Sequence, residues 1–251
     1  MIINTKKVIA CDLDGTLAPS KSVLPEEMSR VIAKILPNYY FAVISGGGFP
    51  QFQKQFLFGL NCSKDLYRNL YLFPTMGSTC YVYDYDLDDW KMLYEEKLTD
   101  EEREKIITAF KESMVESGID FTNPYGEIIE DRGTQITFSG RGQNAPLNEK
   151  ESWDNDRTKR QKIIDILKTK ITGFDIKLGG MTSIDVTREG VDKAYAIEKI
   201  KKILNVSDDE IIFVGDALYK GGNDAAVKNT DVDYIQEDGP DETIELLKQY
   251  I

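Results

Sequence analysis

The 251-residue chain contains no histidine. That absence removes Ser-His-Asp and Cys-His nucleophile arrangements and every metal site built on imidazole. Acid–base chemistry near neutral pH then falls to carboxylates, lysine or a metal-bound water. Cysteine is scarce too: Cys11, Cys62 and Cys80 lie in apolar or mixed surroundings with no C-x-x-C pair, which predicts buried reduced thiols and no disulfide framework. No run approaches the ~20 apolar residues of a membrane span, and residues 7–11 read as a strand without a preceding signal-peptide pattern, so a cytoplasmic protein with no membrane partner is expected. Basic charge is outweighed, with 31 Lys and Arg against 43 Asp and Glu, and the net charge of -12 repels nucleic acid and anionic membranes at long range. The basic cluster Arg157-Thr158-Lys159-Arg160 reads as the solvated face of an amphipathic helix running to about residue 170. An acidic protein can still act on a phosphate where a metal and a few placed cations neutralise it locally.

Hydrophobic residues make up 41% and charged residues 29% of the chain, an ordinary globular balance long enough for one large domain or two. At both ends, short runs of Val, Ile, Tyr and Phe alternate with helical patterns, which predicts a parallel α/β sheet. Residues 8–11, 40–44 and 211–214 read as buried strands, each followed by polar or glycine-rich residues and a helix. Ligands bind such sheets at the carboxyl ends of the strands. The middle differs: tyrosine-rich alternation at 81–93, a charged amphipathic helix near 99–116, alternation at 128–138, the 157–170 helix, and strand patterns near 174–178 and 182–186. A β-β-α-β-β-α-β-β order predicts a small antiparallel α+β domain with helices on one face, inserted into the first. The expected fold is a Rossmann-like α/β core of residues 1–83 and 187–251, with residues 84–186 as the insert.

Four places carry chemistry. The strand at 8–11 runs into Asp12-Leu13-Asp14-Gly15-Thr16-Leu17, where two carboxylates face the active edge while Gly15 permits a sharp turn. One can attack phosphorus while its neighbour handles the leaving-group proton. The second strand ends in Ser45-Gly46-Gly47-Gly48 ahead of a helix, a hydroxyl with unhindered N–H groups suited to a phosphate. Lys193, at the start of a helix, can hold a phosphoryl oxygen and counter the Asp12 charge. The last strand ends in Gly215-Asp216, with Gly221-Gly222-Asn223-Asp224 following; a third carboxylate there completes a hard-oxygen site for Mg²⁺. Asn223 and Asp224 would orient Lys193 and the metal's waters.

These four segments, in this order, resemble the haloacid dehalogenase superfamily. The stretch between the serine and lysine motifs resembles the type IIB cap, found in sugar phosphatases and in eukaryotic-type phosphomannomutases. The likeness to the mutases is closer still, through Gly179-Gly180-Met181-Thr182-Ser183-Ile184-Asp185-Val186, Glu189-Gly190-Val191-Asp192-Lys193 and Gly221-Gly222-Asn223-Asp224.

The resemblance implies Asp12 as nucleophile, Asp14 as acid–base, and Ser45 and Lys193 as phosphoryl holders. It places Mg²⁺ on Asp12, the Asp14 carbonyl and Asp216, with Asp224 beside them. Ser183 and Asp185 would hold the sugar, with Gly46 and Asn223 contributing. The mutases also use arginines for the phosphate that is not reacting. Here that pattern keeps Arg141, while other positions fall on Glu130, near Asn148 and on Lys21; Arg132, on the same strand face as Glu130, is a substitute. A carboxylate where a dianion should sit disfavours bisphosphate binding, so the expected activity is a Mg²⁺-dependent sugar-phosphate phosphatase. The alternatives are a phosphohexose mutase and a non-catalytic sugar-phosphate-binding protein. The expected partner is a small phosphorylated metabolite, and the expected state a monomer or homodimer.

Overall fold

A computed structural model of the protein describes residues 5–251. The chain divides into two compact units, one comprising the residues up to Glu95 together with Asp192–Ile251, the other Glu96–Val191.

The first unit begins β1 (Val8–Asp12), α1 (Glu26–Ile35), β2 (Tyr40–Ile44), α2 (Phe49–Phe52), β3 (Leu70–Phe73), β4 (Thr79–Asp84), β5 (Asp89–Glu95). The second unit supplies α3 (Asp100–Ser117), β6 (Ile129–Asp131), β7 (Gln135–Ser139), α4 (Leu147–Trp153), α5 (Thr158–Lys170), β8 (Phe174–Leu178) and β9 (Ser183–Arg188). The chain returns to the first with α6 (Lys193–Leu204), β10 (Ile211–Gly215), β11 (Asp233–Gln236) and α7 (Pro240–Leu247).

The first unit is a seven-stranded sheet of order β11-β10-β1-β2-β3-β4-β5. β1 is buried along its whole length, as a strand covered on both faces must be. Its Ile9 and Cys11 pack with Met28, Val31, Ile32 and Ile35 of α1, an i, i+3, i+4, i+7 stripe. On the opposite face Val8 and Ala10 pack with Ala196, Ile197 and Ile200 of α6. The parallel register pairs Cys11 with Val214 and Asp12 with Ile44. It follows that Asp12, Ser45 and Asp216 stand at the carboxyl ends of three adjacent strands, the position where sheets of this kind bind ligands.

The second unit is a four-stranded antiparallel sheet of order β6-β7-β9-β8. Alternation puts Ile136, Phe138, Ile184 and Val186 against Ile106 and Phe110 of α3 and Ile163 and Leu167 of α5. The alternate residues Gln135, Thr137 and Ser139 of β7 and Ser183, Asp185 and Thr187 of β9 form a buried polar face.

Three expectations are corrected. The alternation at 81–93 belongs to the first unit, because β4 pairs antiparallel with β3 and β5 with β4. The insert therefore runs from 96 to 191, not 84 to 186, and its element order is α-β-β-α-α-β-β. Arg160 is not on a solvated face: it is 4% exposed, its Nε donates to Asp154 at 2.6 Å, and its Nη1 donates to the Gly179 carbonyl at 3.2 Å. The cysteines are free thiols, with Cys11 and Cys80 buried and Cys62 partly so. Among the described residues no helix is long and apolar enough to cross a membrane.

Candidate active site

Asp12 is 1% exposed, and its two oxygens differ. Oδ1 pairs with Lys193 Nζ at 2.5 Å, whereas Oδ2 is buried with no hydrogen-bond partner among the described residues. Lys193 is fully buried at the first position of α6, where the Asp192 side chain caps the helix by accepting from the Tyr195 N–H at 3.1 Å. Its Nζ also pairs with Asp224 Oδ1. Burial favours the uncharged amine, but the charges of Asp12 and Asp224 outweigh it and hold the ammonium above its ordinary pKa. Burial pushes the Asp12 carboxyl well above the usual range; Lys193 pulls it back, and the Asp224 and Asp14 charges add to the push.

Asp216 follows β10 and is held by Thr16, whose Oγ1 donates to Oδ1 at 3.1 Å and accepts the Asp216 N–H at 3.0 Å. Gly15 makes that approach possible. Its φ is +91°, and a Cβ there would come within 2.6 Å of Asp216 Oδ2. Burial, then the Asp224 charge, raises the Asp216 pKa, with Thr16 and Lys193 opposing.

Asp12, Asp216 and Asp224 each present a carboxylate oxygen, all within 4.8 Å of one another. Three carboxylates around one ammonium leave negative charge uncompensated in a buried site. The unpartnered Asp12 Oδ2 and this all-oxygen donor set fit Mg²⁺. Both oxygens of Asp224 are already engaged, Oδ1 by Lys193 and Oδ2 by the Ala217 N–H at 2.9 Å, which suits an orienting role. The Asp14 carboxylate lies outside this cluster; the ligand expected from that residue is its main-chain carbonyl.

Asp14 is instead held by Gln51, Gln55 and the Lys21 N–H. Lys21 itself is exposed, with φ +57°, and serves Asp14 through its backbone. Ser45 is buried, and its Oγ accepts the Gly47 N–H at 3.1 Å. Gly46 and Asn223 are partly buried beside Ser45 and Asp224 in the chain.

In the second unit, Asp185 Oδ1 accepts from Gln135 Nε2 at 2.9 Å and Thr137 Oγ1 at 2.8 Å, and Ser183 is 8% exposed on the same strand. Arg132 pairs with Glu130 at 2.7 Å. Arg141 pairs with Glu149 at 2.9 Å and lies 5.4 Å from the Tyr125 ring centroid. Thr16, Gln51, Gln55 and Gln135 are the contributors that the motif reading passed over. Thr16 lay inside the first motif, and Gln51 and Gln55 left a trace as an i, i+4 amide pair after the glycine turn.

Solved structures share this architecture. A C-terminally truncated IMP-nucleotidase from Plasmodium falciparum aligns over 99% of this chain and 73% of its own, with TM-score 0.74 at 18% identity. A haloacid dehalogenase-like hydrolase from Bacteroides thetaiotaomicron aligns over 98% and 100%, with TM-score 0.62 at 16% identity. At these identities the likeness is one of fold, and the fold is that of haloacid dehalogenase-like proteins. The finer affiliation comes from sequence, where the family model for eukaryotic phosphomannomutase matches residues 28–251. The phosphomannomutase of Schizosaccharomyces pombe is 29% identical over 224 residues, covering 87% of this chain and 84% of that one. That of Saccharomyces cerevisiae is 27% identical over 250 residues, covering 96% and 93%. The chain belongs to the eukaryotic phosphomannomutase family. These likenesses support the mutase alternative better than the phosphatase expected from the arginine pattern.

Proposed function

We propose that this protein is a Mg²⁺-dependent phosphohexose mutase that moves a phosphoryl group between sugar positions through the carboxylate of Asp12. The likeness to phosphomannomutases carries the reading of a mutase, and the buried ion pair of Asp12 with Lys193, beside an Asp12 oxygen left without a protein partner, supports Asp12 as its nucleophile. Asp12 is the nucleophile, and Asp14 protonates the departing sugar oxygen and later deprotonates the acceptor hydroxyl. Lys193 and the Ser45 hydroxyl hold the remaining phosphoryl oxygens, while Thr16 and Gly15 keep Asp216 in place. Asp12, Asp216 and the Asp14 carbonyl would hold Mg²⁺, which would supply charge neutralisation between two anions. Ser183 and Asp185 recognise sugar hydroxyls, Asp185 being held by Gln135 and Thr137. Action on a small cytoplasmic metabolite accords with the acidic surface.

A second reading, hydrolysis to water, is favoured by one observation: Arg132 and Arg141 are each engaged by a carboxylate, Glu130 and Glu149. A phosphate seeking these guanidiniums must displace a resident anion. The test supplies mannose 1-phosphate and glucose 1-phosphate with a hexose bisphosphate primer and Mg²⁺, following 6-phosphate product and free phosphate together. Product outpacing phosphate release supports the mutase; phosphate release alone overturns it in favour of hydrolysis.

A further inference from the structure

The Asp14 carboxylate is bracketed by donors on both oxygens. Gln51 Nε2 donates to Oδ2 at 3.0 Å, Gln55 Nε2 to Oδ1 at 3.2 Å, and the Lys21 N–H to Oδ1 at 2.6 Å. Gln51 lies in α2 and Gln55 in a π-helical turn over Gln53–Leu57 that continues it. Such turns are uncommon and recur at functional sites.

Gln55 has little freedom. It is 5% exposed, and its Nε2 also donates to the Ser22 carbonyl at 3.2 Å. A carbonyl only accepts, so the NH₂ end is fixed toward Ser22 and Asp14. Its main-chain carbonyl accepts the Leu24 N–H at 2.8 Å, so the 22–24 segment grips it at both ends. Its Oε1 is buried with no hydrogen-bond partner among the described residues, a cost the fold carries while the NH₂ serves Asp14. Gln51 folds back over Gly47, where a Cβ would come within 2.2 Å of its Oε1. That glycine leaves the space the amide occupies.

We propose that Gln51 and Gln55 are positioning residues that hold the Asp14 carboxylate in the orientation from which it exchanges a proton with the sugar oxygen. This rests on the reading of Asp14 as acid–base. In the first half-reaction an Asp12 oxygen bonds to phosphorus and the bond from phosphorus to the sugar oxygen breaks, its electron pair staying on that oxygen. The oxygen takes the proton carried by Asp14, leaving the carboxylate that the two amides hold.

A sugar oxygen leaves poorly without that proton, whereas 4-nitrophenolate leaves without help. Because kcat/KM reports the steps through leaving-group departure, comparing a hexose 1-phosphate with 4-nitrophenyl phosphate isolates the proton transfer. Gln55→Leu and, separately, the less buried Gln51→Leu should lower kcat/KM for the hexose phosphate about 10- to 100-fold and for the aryl phosphate less than about threefold. In an Asp14→Asn background, itself expected to show the same selectivity, the leucine substitutions should add nothing. Equal losses on both substrates, or none on the hexose phosphate, would overturn the positioning role. Should Asp14→Asn spare the hexose phosphate, the acid–base reading falls and this inference with it; selectivity in Asp14→Asn but not in the glutamine variants sinks this inference alone.

Discussion

Lys193 is a cation buried between two anions, so its loss leaves two carboxylates desolvated against each other. Lys193→Met should destabilise the protein by about 3–5 kcal/mol, the usual consequence of stripping one partner from a buried pair. Urea unfolding in EDTA measures this directly; a change below about 1 kcal/mol would show that the three groups do not form the pair described. Asp12→Asn is different, since an amide keeps the shape but cannot form an aspartyl-phosphate. Turnover should be abolished with the fold intact, and substantial activity in protein shown free of deamidation would remove Asp12 as nucleophile. Residues of this sort were legible because strand-end chemistry is written in short motifs. Thr16 was in view within such a motif, yet its bond to Asp216 spans 200 residues and no local pattern encodes that. Arg160 misled for a related reason: its basic neighbours are surface residues, and only the tertiary fold brings Asp154 and the Gly179 carbonyl to it.

Among the elements, the start of α3 shows how one side chain serves two structures. Thr99 and Glu102 form a capping box, with the Thr99 N–H donating to Glu102 Oε2 at 2.6 Å and the Glu102 N–H to Thr99 Oγ1 at 3.1 Å. The same carboxylate receives Arg188 of β9 through Nε at 3.1 Å and Nη2 at 2.7 Å. Arg188 first, then the cap, holds the Glu102 pKa down at about 2 against an ordinary 4.5. A carboxyl depressed on folding stabilises above its unfolded pKa and loses that contribution as pH falls toward the folded value. Glu102→Gln should therefore cost about 1 kcal/mol at pH 7, and the gap from wild type should close between pH 4.5 and about 2. Thermal unfolding of both proteins across that range checks it; a gap independent of pH would mean the charge is irrelevant. The capped helix was legible because caps are local. The partner of the β4–β5 hairpin was not, because alternation marks a half-buried strand without saying which sheet receives it.

At the scale of the whole molecule, a net charge of -12 surrounds a site that the proposed function requires to accept a phosphate dianion. With three carboxylates converging on one ammonium, the protein's own cations do not offset that charge. Chelation should remove turnover and Mg²⁺ restore it, while Ca²⁺, which prefers more ligands at longer distances, should restore it poorly. Undiminished activity after exhaustive EDTA treatment would exclude the metal role. The parallel core was legible from both ends of the sequence, since buried strands read as continuous apolar runs. The place where the chain leaves that core was misjudged, because the tyrosine-rich alternation runs through the turn at residues 85–88 without marking which sheet the hairpin joins.

The discontinuity of the core has a consequence for biosynthesis. β1 lies between β2, which leaves the ribosome soon after it, and β10, which emerges only once the whole second unit has been made. At roughly 5–20 residues per second, the 200 residues separating Thr16 from Asp216 correspond to about 10–40 s of translation. Throughout that interval one side of β1 offers unpaired main-chain groups flanked by Val8, Ile9 and Ala10, an edge prone to wrong pairing. The intervening unit has its own hydrophobic core and can close first, which predicts a folding order running from the middle of the chain outward. A nascent chain stalled before residue 206 should accordingly resist proteolysis in the middle segment, be cleaved readily in residues 5–95, and bind general chaperones. Release of the completed chain should restore protection to the N-terminal segment, and protection there before β10 emerges would show that the half-sheet stands by itself.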